Sequence, residues 1–236
     1  MKIPMKTKRM FLSLAIIGAI ATFSKTALVI SQPASPTRRP AALIGAAAQG
    51  ERAFEFIGRS DQDGSDVSHY GYLTHIRGLP DEALFSDPVT RTEATARFTY
   101  FGATSLNARH QVGSVLTTAA PGSLGIFFKE KPGADFNAPD SFKTGQAVAS
   151  FSGRYHSVLS VEAQITSDSP GRGSIRAVAE LTQNAAAAFS LEGRSFQFGH
   201  PEMRERLSAS GTGTLTQAQP RKALFFLGGE AATIAP

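Results

Sequence analysis

The sequence contains no cysteine and no tryptophan among its 236 residues. Without cysteine the protein has no disulfide, no thiol nucleophile and no thiolate ligand for a metal. No asparagine begins an Asn-x-Ser/Thr sequon, so the chain also lacks an acceptor for N-glycosylation. Extracellular animal proteins of this size often carry disulfides, and the two absences together favour a bacterial protein.

Acidic residues are missing from the first 50 positions. All 19 Asp and Glu residues lie at Glu51 or beyond, whereas residues 1–50 carry seven Lys and Arg residues. Residues 1–10 hold four of these and lead directly into the apolar residues 11–23, which is the order of a secretory signal peptide. We therefore predict a signal peptide over residues 1–21 and an exported protein that is periplasmic, surface-exposed or extracellular. An uncleaved anchor is the alternative, and only a retained N-terminus would bring the domain to a membrane.

Two small-residue sequences compete as the cleavage site. Ala19-Ile20-Ala21 follows the first apolar run, and Ala46-Ala47-Ala48 follows a second, shorter one. The first is the simpler choice. Residues 22–50, rich in Pro, Ala and Arg, are then predicted to form an extended and poorly ordered linker. Residues 51–236 are predicted to form a single domain, which is long enough to bury a core without disulfides.

The basic balance of the chain belongs to the N-terminal segment. The whole sequence has a formal net charge of +5, but cleavage after residue 21 leaves 20 basic and 19 acidic residues. Nucleic-acid binding requires Lys and Arg clustered on one face. The arginines of the near-neutral mature chain are scattered among acids instead, so we predict no nucleic-acid partner.

From Glu51 onward, apolar residues recur with a period of two between clusters of Gly, Pro, Asp and Ser, a pattern that is typical of β-strands. No window of a dozen residues indicates an amphipathic helix. Single helical turns are predicted at residues 80–85 and 201–206. We predict an all-β fold of about ten strands. They cover residues 53–58, 68–78, 93–102, 110–118, 123–130, 146–161, 173–183, 189–198, 206–217 and 222–228.

Glycines inside these strands favour a closed barrel. Glycine weakens a strand and often marks a bulge or a bend, and such bends curl a sheet into a barrel. We predict a single antiparallel β-barrel, with a two-sheet β-sandwich as the alternative. The glycines that support it are Gly71, Gly113, Gly125, Gly153, Gly193, Gly211 and Gly213.

The sequence carries no Gly-x-Ser-x-Gly, His-Glu-x-x-His, P-loop or dinucleotide-binding motif. Strand alternation places His69 and His75 on one face, opposite Tyr70 and Tyr72, and about 20 Å apart along the strand. The two histidines therefore cannot share a metal ion. His156 is also predicted to face solvent, so we expect surface histidines and no cofactor.

Three aspartates after the first predicted strand form the most metal-like sequence. Calcium prefers several oxygens around a sharp turn, and Asp61, Asp63 and Asp66 surround Gly64. The spacing departs from the helix-loop-helix calcium pattern, since glycine is fourth rather than sixth and Tyr72 occupies the twelfth position. A polar hairpin loop explains the same residues. The three aspartates are thus a weak calcium candidate, and no metal site is predicted.

Aromatic residues on the predicted inward faces are the only coherent binding candidate. A small barrel is either filled by side chains or holds one small ligand. An aromatic lumen with a few tyrosine hydroxyls suits a small apolar molecule with one polar group. A packed aromatic core is the alternative. If the barrel is hollow, the predicted ligand-lining residues are Tyr72, Phe98, Tyr100, Phe151 and Tyr155.

An exported, cysteine-free chain of long glycine-containing strands resembles lipocalin-like, dirigent-like and allene-oxide-cyclase-like barrels, although no motif carries this resemblance. The preferred function is a secreted or surface-exposed, non-enzymatic β-domain that binds a small apolar ligand or another protein. The alternative is a cofactor-independent isomerase or cyclase of the allene-oxide-cyclase-like or dirigent-like type. Its polar groups would come from Tyr72, Tyr100 or Tyr155, with Glu180 or Arg97 in a different register.

Overall fold

The computed structural model describes residues 40–166 and 169–235, so the predicted signal peptide lies outside the described residues. Within them the chain forms twelve strands and two short 3₁₀ helices, Asp81–Leu84 and Pro139–Lys143. The strands are β1 (Ala42–Ile44), β2 (Arg52–Asp63), β3 (Asp66–Ile76), β4 (Phe98–Ser105), β5 (Ala108–Val112), β6 (Val115–Phe128), β7 (Gln146–Ala163), β8 (Gly171–Ala186), β9 (Ala188–Leu191), β10 (Arg194–Phe198), β11 (Arg204–Gln217) and β12 (Lys222–Ile234).

Eight antiparallel strands form a closed barrel, which confirms the predicted fold class. Their order is β2, β3, β4, β6, β7, β8, β11 and β12, and β12 pairs back with β2. The ring closes between β4 and β6, where Phe98 pairs with Phe128 and Thr104 with Gly122. β5 is an extra strand that continues along β6 beyond the end of β4.

The glycines inside the barrel strands make room for large side chains of neighbouring strands and do not mark bulges. The pairing register runs through Gly71, Gly153 and Gly211 without a shift. A Cβ atom on Gly71 would lie 2.9 Å from Cε1 of the Tyr100 ring. Glycine on one strand therefore allows a large inward side chain to lie across it from the next strand, so the barrel is confirmed for a different physical reason.

A three-stranded sheet covers one end of the barrel, which we call the lower end. β1 pairs with β10 in parallel, and β10 pairs with β9 in an antiparallel hairpin. Phe198 of β10 lies edge-on to Phe54, with ring centroids 5.7 Å apart. Phe189 of β9 packs on Phe128 at 4.7 Å. Because these rings fill the lower end, the main hydrophobic core lies there.

The segment predicted as a linker is described from Pro40 onward, and it contributes β1 to the small sheet. Ile44 is buried in the main core. The Ile44 carbonyl accepts a hydrogen bond from the Gly199 amide at 2.8 Å, and the Gly45 amide donates to the Arg77 carbonyl at 2.8 Å. These contacts make residues 42–45 part of the folded domain.

The loop between β6 and β7 covers the outer surface of β3 and β4. Tyr70 of β3 is buried there against Phe142, with ring centroids 5.2 Å apart. The Thr99 hydroxyl of β4 donates to the Phe142 carbonyl at 2.8 Å and fixes the loop. A second, smaller core thus lies outside the barrel wall.

The predicted helical turn at residues 80–85 is present as the helix Asp81–Leu84, whereas the region 201–206 contains a turn and then the start of β11. In the part of the chain that the structure describes, no helix combines the length and apolarity needed to cross a bilayer.

Candidate functional site

The interior of the barrel contains a cavity of about 100 Å³. An engineered apolar cavity of about 150 Å³ binds benzene, so this volume is about two thirds of one that admits a small molecule. Along β6 alone the lining extends from Leu116 to Ile126, which is about 33 Å of strand at 3.3 Å per residue. The residues that line the cavity are therefore spread along most of the length of β6.

One side of the cavity carries polar side chains among its apolar ones. Here β2, β3, β4, β6 and β7 place short or amide-bearing polar side chains at inward positions. We call this set the polar arc, and it consists of Ser60, Gln62, His69, Thr104, Thr118 and Ser157.

The opposite side of the cavity is hydrocarbon. It is formed by inward residues of β8, β11 and β12. We call this set the apolar wall, and it consists of Ile175, Ala177, Leu207, Ala209, Phe225 and Leu227. A bound molecule would thus meet hydrogen-bonding groups on one flank and only apolar groups on the other.

His69 lies at the centre of the polar arc and joins three strands. Its Nδ1 atom is 2.7 Å from the Ser60 hydroxyl, and its Nε2 atom is 3.2 Å from the Thr104 hydroxyl. The Tyr155 ring stacks on the imidazole with ring centroids 5.5 Å apart and planes 3° apart. These contacts fix the position of the imidazole within the cavity.

Burial lowers the pKa of His69 to about 4, so the imidazole is neutral at pH 7. A Ser–His pair acts as a nucleophile when the imidazole accepts the hydroxyl proton and a carboxylate stabilises the resulting cation. Ser60 and Thr104 occupy both ring nitrogens of His69, and neither is a carboxylate. The arrangement is therefore a fixed hydrogen-bonding array rather than a hydrolytic dyad.

Two tyrosines reach the cavity from β4 and β7. Burial raises the pKa of both Tyr100 and Tyr155, so both phenols remain protonated. The Tyr155 hydroxyl donates a long hydrogen bond of 3.4 Å to the Ser123 carbonyl. The buried Tyr100 hydroxyl has no hydrogen-bond partner among the described residues. Such an unpaired group costs free energy, and it lies over Gly58 of the barrel wall, where a Cβ atom would meet it.

Only two of the five predicted ligand-lining residues line the cavity. Tyr100 and Tyr155 line the cavity. Phe98 and Phe151 are buried in the main core below it, where Phe98 contacts Phe189 with ring centroids 5.6 Å apart. These two residues close the lower part of the barrel and do not reach the open volume.

Tyr72 lies on the outer face of the barrel, and its predicted inward orientation is wrong. Its cross-strand partner Ile57 is exposed, and the Tyr72 ring packs against Phe85 from the following loop. His69 correspondingly points inward, contrary to its predicted surface position. Loops cover the aromatic residues on the outer face of β3, so alternation alone selects the wrong face as the interior.

Two of the three weak calcium candidates, Asp61 and Asp63, are held by other residues. Asp61 accepts hydrogen bonds from Arg59 at 2.7 Å and from the Tyr70 hydroxyl at 2.6 Å. Asp63 forms an ion pair with Lys222 at 3.3 Å. Within residues 40–166 and 169–235, no group of three or more His, Cys, Asp or Glu side chains could hold a metal ion.

The remaining predicted polar residues also lie away from the cavity. Glu180 is on the outer face, where its carboxylate accepts a hydrogen bond from Arg206 at 2.6 Å. Arg97 lies 3.9 Å from Glu192 of the β9–β10 turn. His156 is exposed on the outer face, as predicted. No carboxylate is among the described residues that line the cavity.

Sequence reasoning misses most of the polar arc. Serine, threonine and glutamine at alternate positions are assigned to the solvent-facing side, because polar residues usually occupy it. The available signal is the apolar alternation on β8, where Ile175, Ala177 and Leu181 alternate with mostly polar residues and identify the inward face of that strand.

The fold and the cavity together define an eight-stranded antiparallel β-barrel with an interior cavity that carries polar side chains on one flank. A scan of protein-family models, a search of curated proteins and a search of solved structures each gave no match to this chain.

Proposed function

We propose that the domain is a non-enzymatic binding protein that holds a small, largely apolar molecule inside the barrel. The observation that carries the proposal is a cavity bounded by the apolar wall on one flank and by the polar arc on the other. The ligand would place its hydrocarbon against the wall and its polar group on the side of the arc. The charge pattern of the N-terminus supports export of this domain.

Binding accounts for the lining better than catalysis does. The imidazole of His69 takes up a proton only near a pH of about 4, and the two phenols keep theirs. General acid–base catalysis at neutral pH needs a group that titrates near the working pH. The cavity offers hydrogen bonds of fixed geometry instead.

A cofactor-independent isomerase or cyclase is the second candidate, and the proximity of two protonated phenols supports it. Tyr100 and Tyr155 both face the cavity, and the two groups interact electrostatically. They would steer a reactive substrate by shape and by hydrogen bonds to an oxygen atom. Conversion of a bound substrate, lost in Tyr100→Phe, would favour this candidate over simple binding.

A protein partner would use the outer surface, where Ile57 and Phe226 are 46% and 55% exposed. The cavity is the stronger candidate because its polar and apolar groups converge on one volume, whereas scattered exposed apolar side chains are normal on protein surfaces.

The proposal is tested by filling the cavity. Ala177 faces the cavity beside Ala209 of β11, and the next residue, Val178, points outward and is 40% exposed. In titration calorimetry with 1-octanol as the probe, we expect saturable binding to the native protein. Ala177→Phe should weaken it by about tenfold or more because the new ring occupies the cavity. Val178→Phe, the matched control one position away, should bind normally.

Circular dichroism and the melting temperature establish that both variants are folded. Absence of saturable 1-octanol binding by the native protein would overturn the proposal, as would normal binding by a folded Ala177→Phe variant. Amide chemical shifts that change around Phe226 rather than around the cavity would assign the probe to the outer surface, with the same consequence.

A further inference from the structure

Arg109 is the only residue with a permanent charge among the described residues that line the cavity. It lies on β5, where it pairs with Thr118 of the polar arc. Its side chain is also exposed to solvent. Arg109 therefore marks the place where the cavity reaches the surface, at the upper end that carries the β2–β3 and β11–β12 turns.

Arg109 forms no ion pair with any described carboxylate, whereas Arg59 of β2 and Arg206 of β11 both do. Asp63, the last residue of β2 at the same end, forms an ion pair with Lys222 instead. Neither Asp63 nor Asp66 lines the cavity. The guanidinium group is thus free to bind an anion.

A second arginine reinforces the positive charge at this end. Arg221 lies in the β11–β12 turn, and its carbonyl accepts a hydrogen bond of 2.7 Å from the Gly64 amide of the β2–β3 turn. Burial lowers the pKa of Arg221, and the charge of Arg109 lowers it further. Two cations that repel each other are stabilised by an anionic ligand.

We propose that the ligand is an amphipathic carboxylate whose head group binds Arg109 at the upper end while its hydrocarbon chain lies along the apolar wall. The inference rests on the proposed binding function and specifies the ligand class. The cavity-lining residues of β6 run from Thr118, which pairs with Arg109, to Ile126, which pairs with Tyr100, and they give an unbranched chain a path between these two residues.

Three probes with the same chain separate the head group from the tail. Octanoate, 1-octanol and octylamine share the same chain length and differ in charge. We expect octanoate to bind about 5- to 20-fold more tightly than 1-octanol, the effect of a partly exposed charge-assisted hydrogen bond. Octylammonium should bind more weakly than 1-octanol. The preference for octanoate should decrease as the salt concentration rises, because the site is near solvent.

Two variants assign the preference to Arg109. Arg109→Gln should reduce octanoate binding to the level of 1-octanol and leave 1-octanol binding unchanged. Arg176→Gln is the matched control, since Arg176 is exposed on the outer face of β8. It should keep the native preference. If Arg109→Gln is unfolded by circular dichroism, Arg109→Lys replaces it, with an expected partial loss because lysine lacks the bidentate geometry.

Equal binding of octanoate and 1-octanol to the native protein would overturn the inference and leave the proposed function intact. A full preference for octanoate in folded Arg109→Gln would also overturn it by placing the head group elsewhere. Failure of all three probes to bind would instead overturn the proposed function itself.

Discussion

Glu205 of β11 lies inside the lower part of the barrel with 0% of its surface exposed, and neither carboxyl oxygen has a partner among the described residues. Its cross-strand neighbours are Leu181 and Thr233, and the Thr233 hydroxyl is also buried without a partner among them. Burial raises the pKa of Glu205 to about 8. The carboxyl group is therefore neutral in the folded protein at pH 7, and folding opposes its ionisation.

This shift makes stability depend on pH. The ordinary pKa of Glu205 is 4.5, so its carboxyl group is protonated in both states below that pH and does not affect folding. Above it the unfolded chain loses the proton while the folded protein retains it, and stability decreases as the pH rises toward about 8. The loss should reach about 3 to 5 kcal/mol at still higher pH.

Glu205→Gln should abolish that contribution. In urea unfolding experiments from about pH 5 to pH 9, we expect the variant to show a flatter stability profile and to exceed the native protein at the alkaline end by roughly 2 to 4 kcal/mol. Glu162→Gln, on an exposed position of β7, serves as the control and should retain the native slope. Parallel profiles for native protein and Glu205→Gln would contradict the assignment.

At the scale of elements, β6 shows how a proline is accommodated inside a barrel strand. The predicted strands 110–118 and 123–130 leave Pro121 and Gly122 in a connection between them, but β6 runs through both residues. Pro121 pairs with Arg154 of β7 on one side. On the other side β4 pairs up to Gly122 and β5 begins at Ala119, so Pro121 faces the break between β4 and β5. A residue without an N–H group is tolerated where no strand needs that donor.

The contacts between neighbouring strands depend on glycines that lie beneath large side chains. A Cβ on Gly58 of β2 would meet the Tyr100 hydroxyl and the Tyr70 carbonyl, and the carbonyl belongs to backbone that cannot move easily. A Cβ on Gly228 of β12 would lie 3.5 Å from the Phe56 carbonyl, an ordinary contact. Both glycines therefore lie in barrel strands, but only Gly58 lacks the room for a Cβ atom.

Gly58→Ala should reduce the free energy of unfolding by about 3 kcal/mol or more, because the strands must separate or Tyr100 must leave its position. Gly228→Ala should change it by less than about 1 kcal/mol. Chemical unfolding monitored by circular dichroism measures both. Similar values for the two variants would show that the space above Gly58 is not essential.

For the whole molecule, the strand content could be predicted from the alternation of apolar residues and from the turn residues between strands. Closure of the barrel could not, since the pairing of Phe98 with Phe128 joins segments with no local signal for each other. The face of β3 was also beyond prediction, because Phe142 of a distant loop buries Tyr70 on the outside. For the candidate site, Tyr100 and Tyr155 could be identified from the sequence. The inward orientation of Ser60 and the rest of the polar arc could be assigned only from the pairing of the strands.

The mass of the mature N-terminus tests the export prediction. We expect the secreted chain to begin near Thr22, after the first predicted cleavage site, and intact-mass spectrometry of the secreted form measures this directly. Retention of Met1 would contradict cleavage and favour the membrane anchor.

The strand β1 gives the choice between the two predicted cleavage sites a structural consequence. A cut after Ala48 would remove Ile44 from the main core and leave the free edge of β10 without its parallel partner. A cut near Ala21 keeps that strand attached. The position of proteolytic processing would thus determine whether the barrel retains a complete floor beneath its binding cavity.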